Sequence, residues 1–159
     1  MVARSKPESG APAEPSAGLL DSDELSAFLG TLRTATSIMG STEGVLRELD
    51  AGITTREFDA LVFIVAFGPL RPSELLRRVV LTHNAQTLSS VLDRLEASSL
   101  ALREPHTEDA RAVLIDATDA GRDLIASTFP MVYRRVIVPM TSEYSASELG
   151  SLSELLGRQ

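Results

Sequence analysis

Between Asn84 and Ser90 the chain places five amide or hydroxyl side chains in seven residues: Asn84, Gln86, Thr87, Ser89 and Ser90. Asn and Gln each present a donor beside an acceptor, the pattern that pairs bidentately with adenine in a DNA major groove, and Ser or Thr serves either class of base. This is the chemistry of recognition by hydrogen bonding. Covalent catalysis would need one hydroxyl activated by a positioned general base, and neither Ser89 nor Ser90 has one in its neighbourhood of sequence. The chain also lacks a Gly-rich phosphate loop and has no cysteine. The expectation is a protein that is not an enzyme.

Leu88, Val91, Leu92 and Leu95 recur at steps of three and four. They predict a helix that buries one stripe and leaves the polar groups outside. Thr82 is the expected N-cap, its hydroxyl taking a free N–H of the first turn. Upstream, Pro72 suits the first position of another helix, which carries Leu75, Leu76 and Val79 before a turn at Val80-Leu81. Downstream, Leu100–Arg103 and Ala112–Asp116 have strand length, and Glu104–Arg111 between them is too polar for a core. Helix, turn, helix and hairpin together make a winged helix, whose second helix enters a major groove.

At this point the residues resemble a family. Asp93-Arg94-Leu95-Glu96, followed by Leu100 and Arg103, is similar to the "DRLE–xxGL–xxR" run of the MarR-type transcriptional regulators. Asp109-Ala110-Arg111 resembles their Asp-x-Arg wing signature, and Ala117–Arg122 the "LT–xx–G–[RK]" start of the next helix. The resemblance spans roughly 25–156, with the specific motifs within 82–122. It implies a homodimer on a pseudo-palindromic DNA site, a repressor that responds to a small-molecule effector. Two positions depart from the pattern. Ser99 stands where the family usually has Gly at a left-handed turn. Ser90 stands where many members carry Arg on the recognition helix.

The candidate DNA-binding residues are Thr82, His83, Asn84, Gln86, Thr87, Ser89, Ser90 and Arg94 on the helix, with Asp109 and Arg111 on the wing. His106 at the wing tip and Arg77-Arg78 are candidates for phosphate, or else ordinary solvated groups. Asp109 and Arg111 could equally form a surface salt bridge of little energy; the resemblance favours Arg111 in a narrow minor groove. His83 and His106 have no carboxylate cluster at ligand spacing, so no metal or other cofactor is expected.

Charge qualifies this reading. The formal net charge is −7. Within 69–115, six arginines face six carboxylates, so the deficit lies elsewhere; 21–50 alone has six carboxylates against Arg33 and Arg47. A neutral reading head on an acidic body is a weaker footprint than a basic patch. The alternative is a winged-helix dimer that has lost DNA binding and serves as a protein-interaction module.

The rest of the chain falls around this head. Residues 1–20, rich in Pro, Ala, Ser and Gly, read as a disordered tail. Residues 21–52 form an N-terminal helix capped by Asp21 and Glu24, with Gly40 to Gly44 expected to bend or interrupt it. Within 53–117, Thr54 and Glu57 form a second capping box, opening a scaffold helix that ends at Gly68-Pro69. Residues 118–159 begin at Thr118, continue through a stripe from Leu124 to Met140 with a kink expected at Pro130 and an end at Pro139, and finish with a helix capped by Ser145 and Glu148. Phe28, Met39, Phe129, Met131 and Tyr133 are expected in the core, some of them lining an effector pocket. The expected fold is mainly α with a small β-hairpin: a winged helix-turn-helix domain between long N- and C-terminal helices that form a dimerisation region. No apolar run is long enough to span a membrane and no signal-peptide core is present, so the expected location is cytoplasmic.

Overall fold

The computed structural model describes residues 23–105, 112–142 and 144–156. The tail at 1–20, the cap at Asp21, the wing residues His106, Asp109 and Arg111, and the side chains of Glu24, Leu152, Leu155 and Leu156 lie outside the described residues. By internal contacts the chain divides into two compact units, Met1–Ser37 and Ile38–Gln159. The first helix, α1 (Asp23–Glu48), crosses that division. The expected interruption at Gly40–Gly44 does not occur: the helix is continuous through both glycines. Glycine lowers helix stability by only about 1 kcal/mol relative to Ala, and Val45 and Leu46 just beyond are buried in the core, which outweighs it. The hydroxyls of Thr31, Thr34 and Thr36 return to carbonyls four residues back.

Within the second unit, α2 (Thr55–Phe67) opens with the expected capping box: Glu57 Oε2 takes the Thr54 N–H at 2.6 Å and Thr54 Oγ1 takes the Glu57 N–H at 3.3 Å. Phe58, Ala60, Leu61 and Ile64 on α2 are buried. Helix α3 (Pro72–Leu76) is a single short stretch starting at Pro72, and α4 (Ala85–Ala97) follows. Strands β1 (Ala101–Pro105) and β2 (Val113–Ala117) pair antiparallel, Arg103 opposite Ile115. Leu70 extends this small sheet by one bridge, exchanging two backbone hydrogen bonds with Ile115 at 3.0 and 2.8 Å. That bridge sews the start of the helix-turn-helix to the root of the wing.

Thr118 caps α5 (Asp119–Val132), its Oγ1 accepting the Gly121 N–H at 3.0 Å. Pro130 lies inside α5 without ending it. A π-helical turn follows at Tyr133–Ile137, then α6 (Val138–Thr141). Pro139 was expected to stop the helix; it sits instead in the first turn of α6. Pro139 cannot donate to the Arg135 carbonyl, and its ring crowds that carbonyl. The wider π turn, in which the Val138 N–H reaches Tyr133 O, absorbs the mismatch. Helix α7 (Ala146–Leu156) carries the expected Ser145–Glu148 box. No helix among the described residues is long and apolar enough to cross a membrane.

Of the five residues expected in the core, Phe129 and Met131 pack against it. Phe28, Met39 and Tyr133 are exposed. Periodicity identifies an apolar face but not what covers it, and among the described residues nothing covers these.

Candidate nucleic-acid interface

Helix α4 turns its two faces to different surroundings. Leu88, Val91, Leu92 and Leu95 are buried among α2, α3 and the strands. Gln86, Ser89, Ser90 and Asp93, at steps of three and four on the other side, are exposed, and so are His83, Asn84 and Arg94; Thr87 is half-buried. Seven of the eight helix candidates are thus brought together at one accessible surface. Thr82 is the exception.

The structure moves the N-cap from Thr82 to Asn84, whose Oδ1 accepts the Thr87 N–H at 2.8 Å. Thr82 is 2% exposed, and its hydroxyl has no hydrogen-bond partner among the described residues. Both residues are good caps by type. Tertiary packing decided between them, because Val79 and Thr82 turn inward at the ends of the α3–α4 turn. Thr82 therefore presents no side chain to a groove, and the Asn84 carbonyl oxygen is held by the cap.

Three polar tethers hold α4 in place. Ahead of its start, Asp59 of α2 accepts the N–H of Val80 and of Leu81 on one oxygen, Oδ2, both at 2.9 Å. Burial pushes the Asp59 carboxyl above its ordinary value, while the backbone donors Leu81 and Val80 pull it back. Midway, Arg94 lies 3.7 Å from the Oε1 of Glu57, the buried carboxylate of the α2 capping box. Arg94 keeps 68% of its side chain exposed, so it can also face outward. At the end, Arg103 of β1 bonds Asp93 at 2.9 Å and also pairs with Glu96. The Asp-Arg-Leu-Glu run with Arg103 is thus a clamp between α4 and β1. It matches both carboxylates of the run to a cation on the wing strand.

The turn after α4 and the start of α5 form a second structural unit. Ser99 has φ 56, the left-handed conformation that the family pattern meets with Gly. The Thr118 hydroxyl donates to the Ser99 carbonyl at 2.7 Å. Gly121 approaches so closely that a Cβ there would lie 2.1 Å from the Leu100 carbonyl oxygen, so no larger residue fits without displacing backbone. Arg122 then reaches Asp116 on β2 at 2.9 Å. Motif residues 116–122 therefore anchor the root of the wing, whose tip, with Asp109 and Arg111, lies outside the described residues.

Sequence reasoning missed Asp59. Its partners lie more than twenty positions away, beyond any local spacing rule. The one available signal was an acidic residue among the apolar positions of the expected scaffold helix. Of the phosphate candidates, Arg77 is exposed, and Arg78 stacks its guanidinium 5.2 Å over the Phe67 ring.

Comparison with known proteins agrees with this geometry. The model of the MarR family matches residues 51–112. No curated protein matches. The chain is similar to the solved apo structure of wild-type MarR from E. coli, with 25% identity, a TM-score of 0.64, and coverage of 84% of this chain and 95% of that one. A cysteine-to-serine variant of the E. coli protein, solved with operator DNA, aligns at 24% identity over 90% and 98% of the two chains with a TM-score of 0.70. AbsC, a MarR family transcriptional regulator from Streptomyces coelicolor, aligns at 20% identity over 85% and 90% with a TM-score of 0.72.

Proposed function

We propose that the chain is a MarR-family transcriptional regulator, a reading supported by the family model over 51–112 and by the similarity to E. coli MarR, and that a homodimer of it binds a pseudo-palindromic operator as a ligand-responsive repressor. One observation carries the proposal: a polar face of α4, at Gln86, Ser89 and Ser90, stands exposed on a helix whose opposite face is buried and whose ends are tethered. A reading head must hold base contacts at fixed distances, and these tethers supply that rigidity. The wing, with Asp109 and Arg111 at its tip, would follow the backbone to the neighbouring minor groove. Pairing of Asp93 and Glu96 with Arg103 also reduces the repulsion that a phosphate backbone would meet from these carboxylates. Residues 21–52 and 118–159 would supply the dimer contacts, their motive being the exposed apolar side chains Phe28, Leu32, Tyr133, Val138 and Met140. Two-fold symmetry would place the half-sites about one helical turn, ~34 Å, apart. The effector would occupy a cavity of about 310 Å³ between α2, the α3–α4 turn, α5 and the end of α1.

Footprinting on the DNA flanking the chain's own gene, with operator affinity measured across salt concentrations, tests this reading. Gln86→Ala should cost about 1–3 kcal/mol at one base position and relax preference there. Arg111→Ala should lower the salt slope by about 1–2 per dimer. A second reading, a protein-interaction module, is favoured by the neutral charge of 69–115 and by Ser90 in place of Arg. Absence of any salt-dependent footprint would move the conclusion to it.

A further inference from the structure

The cavity beneath the α3–α4 turn is walled by Ile38, Phe58, Val62, Phe129, Val132 and Val136 together with the turn residues Val80 and Leu81. Thr42 and Thr55 contribute hydroxyls. Among the described residues Asp59 is the one ionisable side chain in the lining, and no cation pairs with it. Its carboxylate is divided: Oδ2 accepts both turn amides, while Oδ1 accepts no hydrogen bond among the described residues.

We propose that Asp59 makes this cavity selective for apolar ligands bearing a hydrogen-bond donor, against apolar carboxylates of the same shape, and that the same carboxylate passes occupancy on to the α3–α4 turn. The inference rests on the ligand-responsive reading above and names the chemistry and the residue behind it. An anionic ligand would lose its hydration in a largely apolar chamber that offers no cation among the described residues, beside a carboxylate already destabilised by burial. A neutral or cationic donor meets the opposite situation. It shields its apolar body and can donate to Oδ1, which accepts no hydrogen bond among the described residues, in place of water. Coupling follows because donors that share one carboxylate divide its charge, so a ligand bonded to Asp59 weakens the bonds that Oδ2 makes to Val80 and Leu81. Those two amides immediately precede Thr82, His83 and the Asn84 cap of α4. Loosening them frees the entry to the helix whose exposed face is the proposed reading head.

The test uses the full chain without DNA and two probes of matched ring, 2-naphthol as the neutral donor and 2-naphthoate as the anion. Calorimetry at neutral pH should find 2-naphthol bound about tenfold or more tighter than 2-naphthoate. NMR should place it by shifts at the Val62 and Val132 methyls, and amide exchange at Val80 and Leu81 should speed up on binding. Asp59→Asn keeps a carbonyl able to accept both amides but removes the charge, and it should bring the two probes to within about threefold of each other. Binding of neither probe overturns the proposal, as do equal or tighter binding of 2-naphthoate to the native chain, shifts confined to other surfaces, and unaltered exchange at Val80 and Leu81. A probe ratio that stays the same in a folded Asp59→Asn does so too. If that variant fails to fold, the native probe ratio and the exchange measurement still decide. Since no DNA enters the experiment, a chain without an operator can pass it, and an operator-binding chain can fail it.

Discussion

The stripe of α4 and those of the terminal helices fare differently: the first is wholly buried, the others only in part. Leu88, Val91, Leu92 and Leu95 on α4 all disappear into the core of their own chain. On α1, Phe28 is 61% and Leu32 52% exposed, and near the other end Tyr133, Val138 and Met140 are exposed as well. The contrast separates two uses of the same periodicity. Helix α4 buries its apolar stripe within the chain and leaves its polar face exposed. The terminal helices leave some apolar side chains exposed among the described residues, which is the motive for the proposed dimer.

The largest expected effect breaks this comparison most directly. Leu92→Ala, in a fully packed site, should destabilise the fold by about 2–5 kcal/mol, measured by urea denaturation. Leu32→Ala should leave that transition nearly unmoved and instead weaken self-association in sedimentation. Equal destabilisation by both, with an unchanged oligomeric state, would erase the distinction.

Next comes Thr82→Val. The hydroxyl is buried without a partner among the described residues, so an apolar replacement of the same shape should stabilise by about 1–3 kcal/mol. Footprints should be unchanged, because the side chain does not reach the surface. A loss of DNA binding would return Thr82 to the interface.

The two capping boxes sharpen the comparison further. Thr54 and Glu57 form theirs in the winged region, with Glu57 buried; Ser145 and Glu148 form theirs on the exposed surface near the C-terminus. Thr54→Ala should cost about 1–2 kcal/mol, and Ser145→Ala less. Their pH behaviour should differ as well. The Ser145 hydroxyl, and after it the Ser145 N–H, hold the Glu148 carboxyl below its ordinary value. The stabilisation so gained is present above the ordinary carboxylate value and lost as pH falls through the folded one. The Ser145→Ala deficit should therefore fade in acid. Denaturation of native chain and variant in parallel buffers measures this.

The smallest effect is expected at Asp59, with the opposite sign. Burial raises its carboxyl, so the folded chain holds the proton more tightly than the unfolded chain. Its contribution is full below the ordinary value and lost as pH rises through the raised folded value. Asp59→Asn has no such slope. Its stability relative to the native chain should climb from acid toward neutral pH, and a flat difference would mean that burial does not govern this carboxyl.

The caps at Thr54 and Thr118, the Ser145–Glu148 box and the α4 stripe were legible in the sequence. Each is a relation among residues no more than a few positions apart, where backbone geometry alone decides which groups meet. The start of α4 was not legible in the same way. Thr82 and Asn84 are both competent caps, and the choice fell to the core that draws Thr82 inward. The continuity of α1 through Gly40 and Gly44 was likewise settled by burial of Val45 and Leu46 beyond them. Asp59 with Val80 and Leu81, Arg103 with Asp93 and Glu96, and Gly121 against Leu100 are meetings of different elements. Local spacing carries no information about such pairs, since their distances are set by how helices and strands pack. The chemistry of the polar face of α4 was written in residue type and period; the carboxylate that joins the cavity to the α3–α4 turn took that place only when α2 packed beneath it.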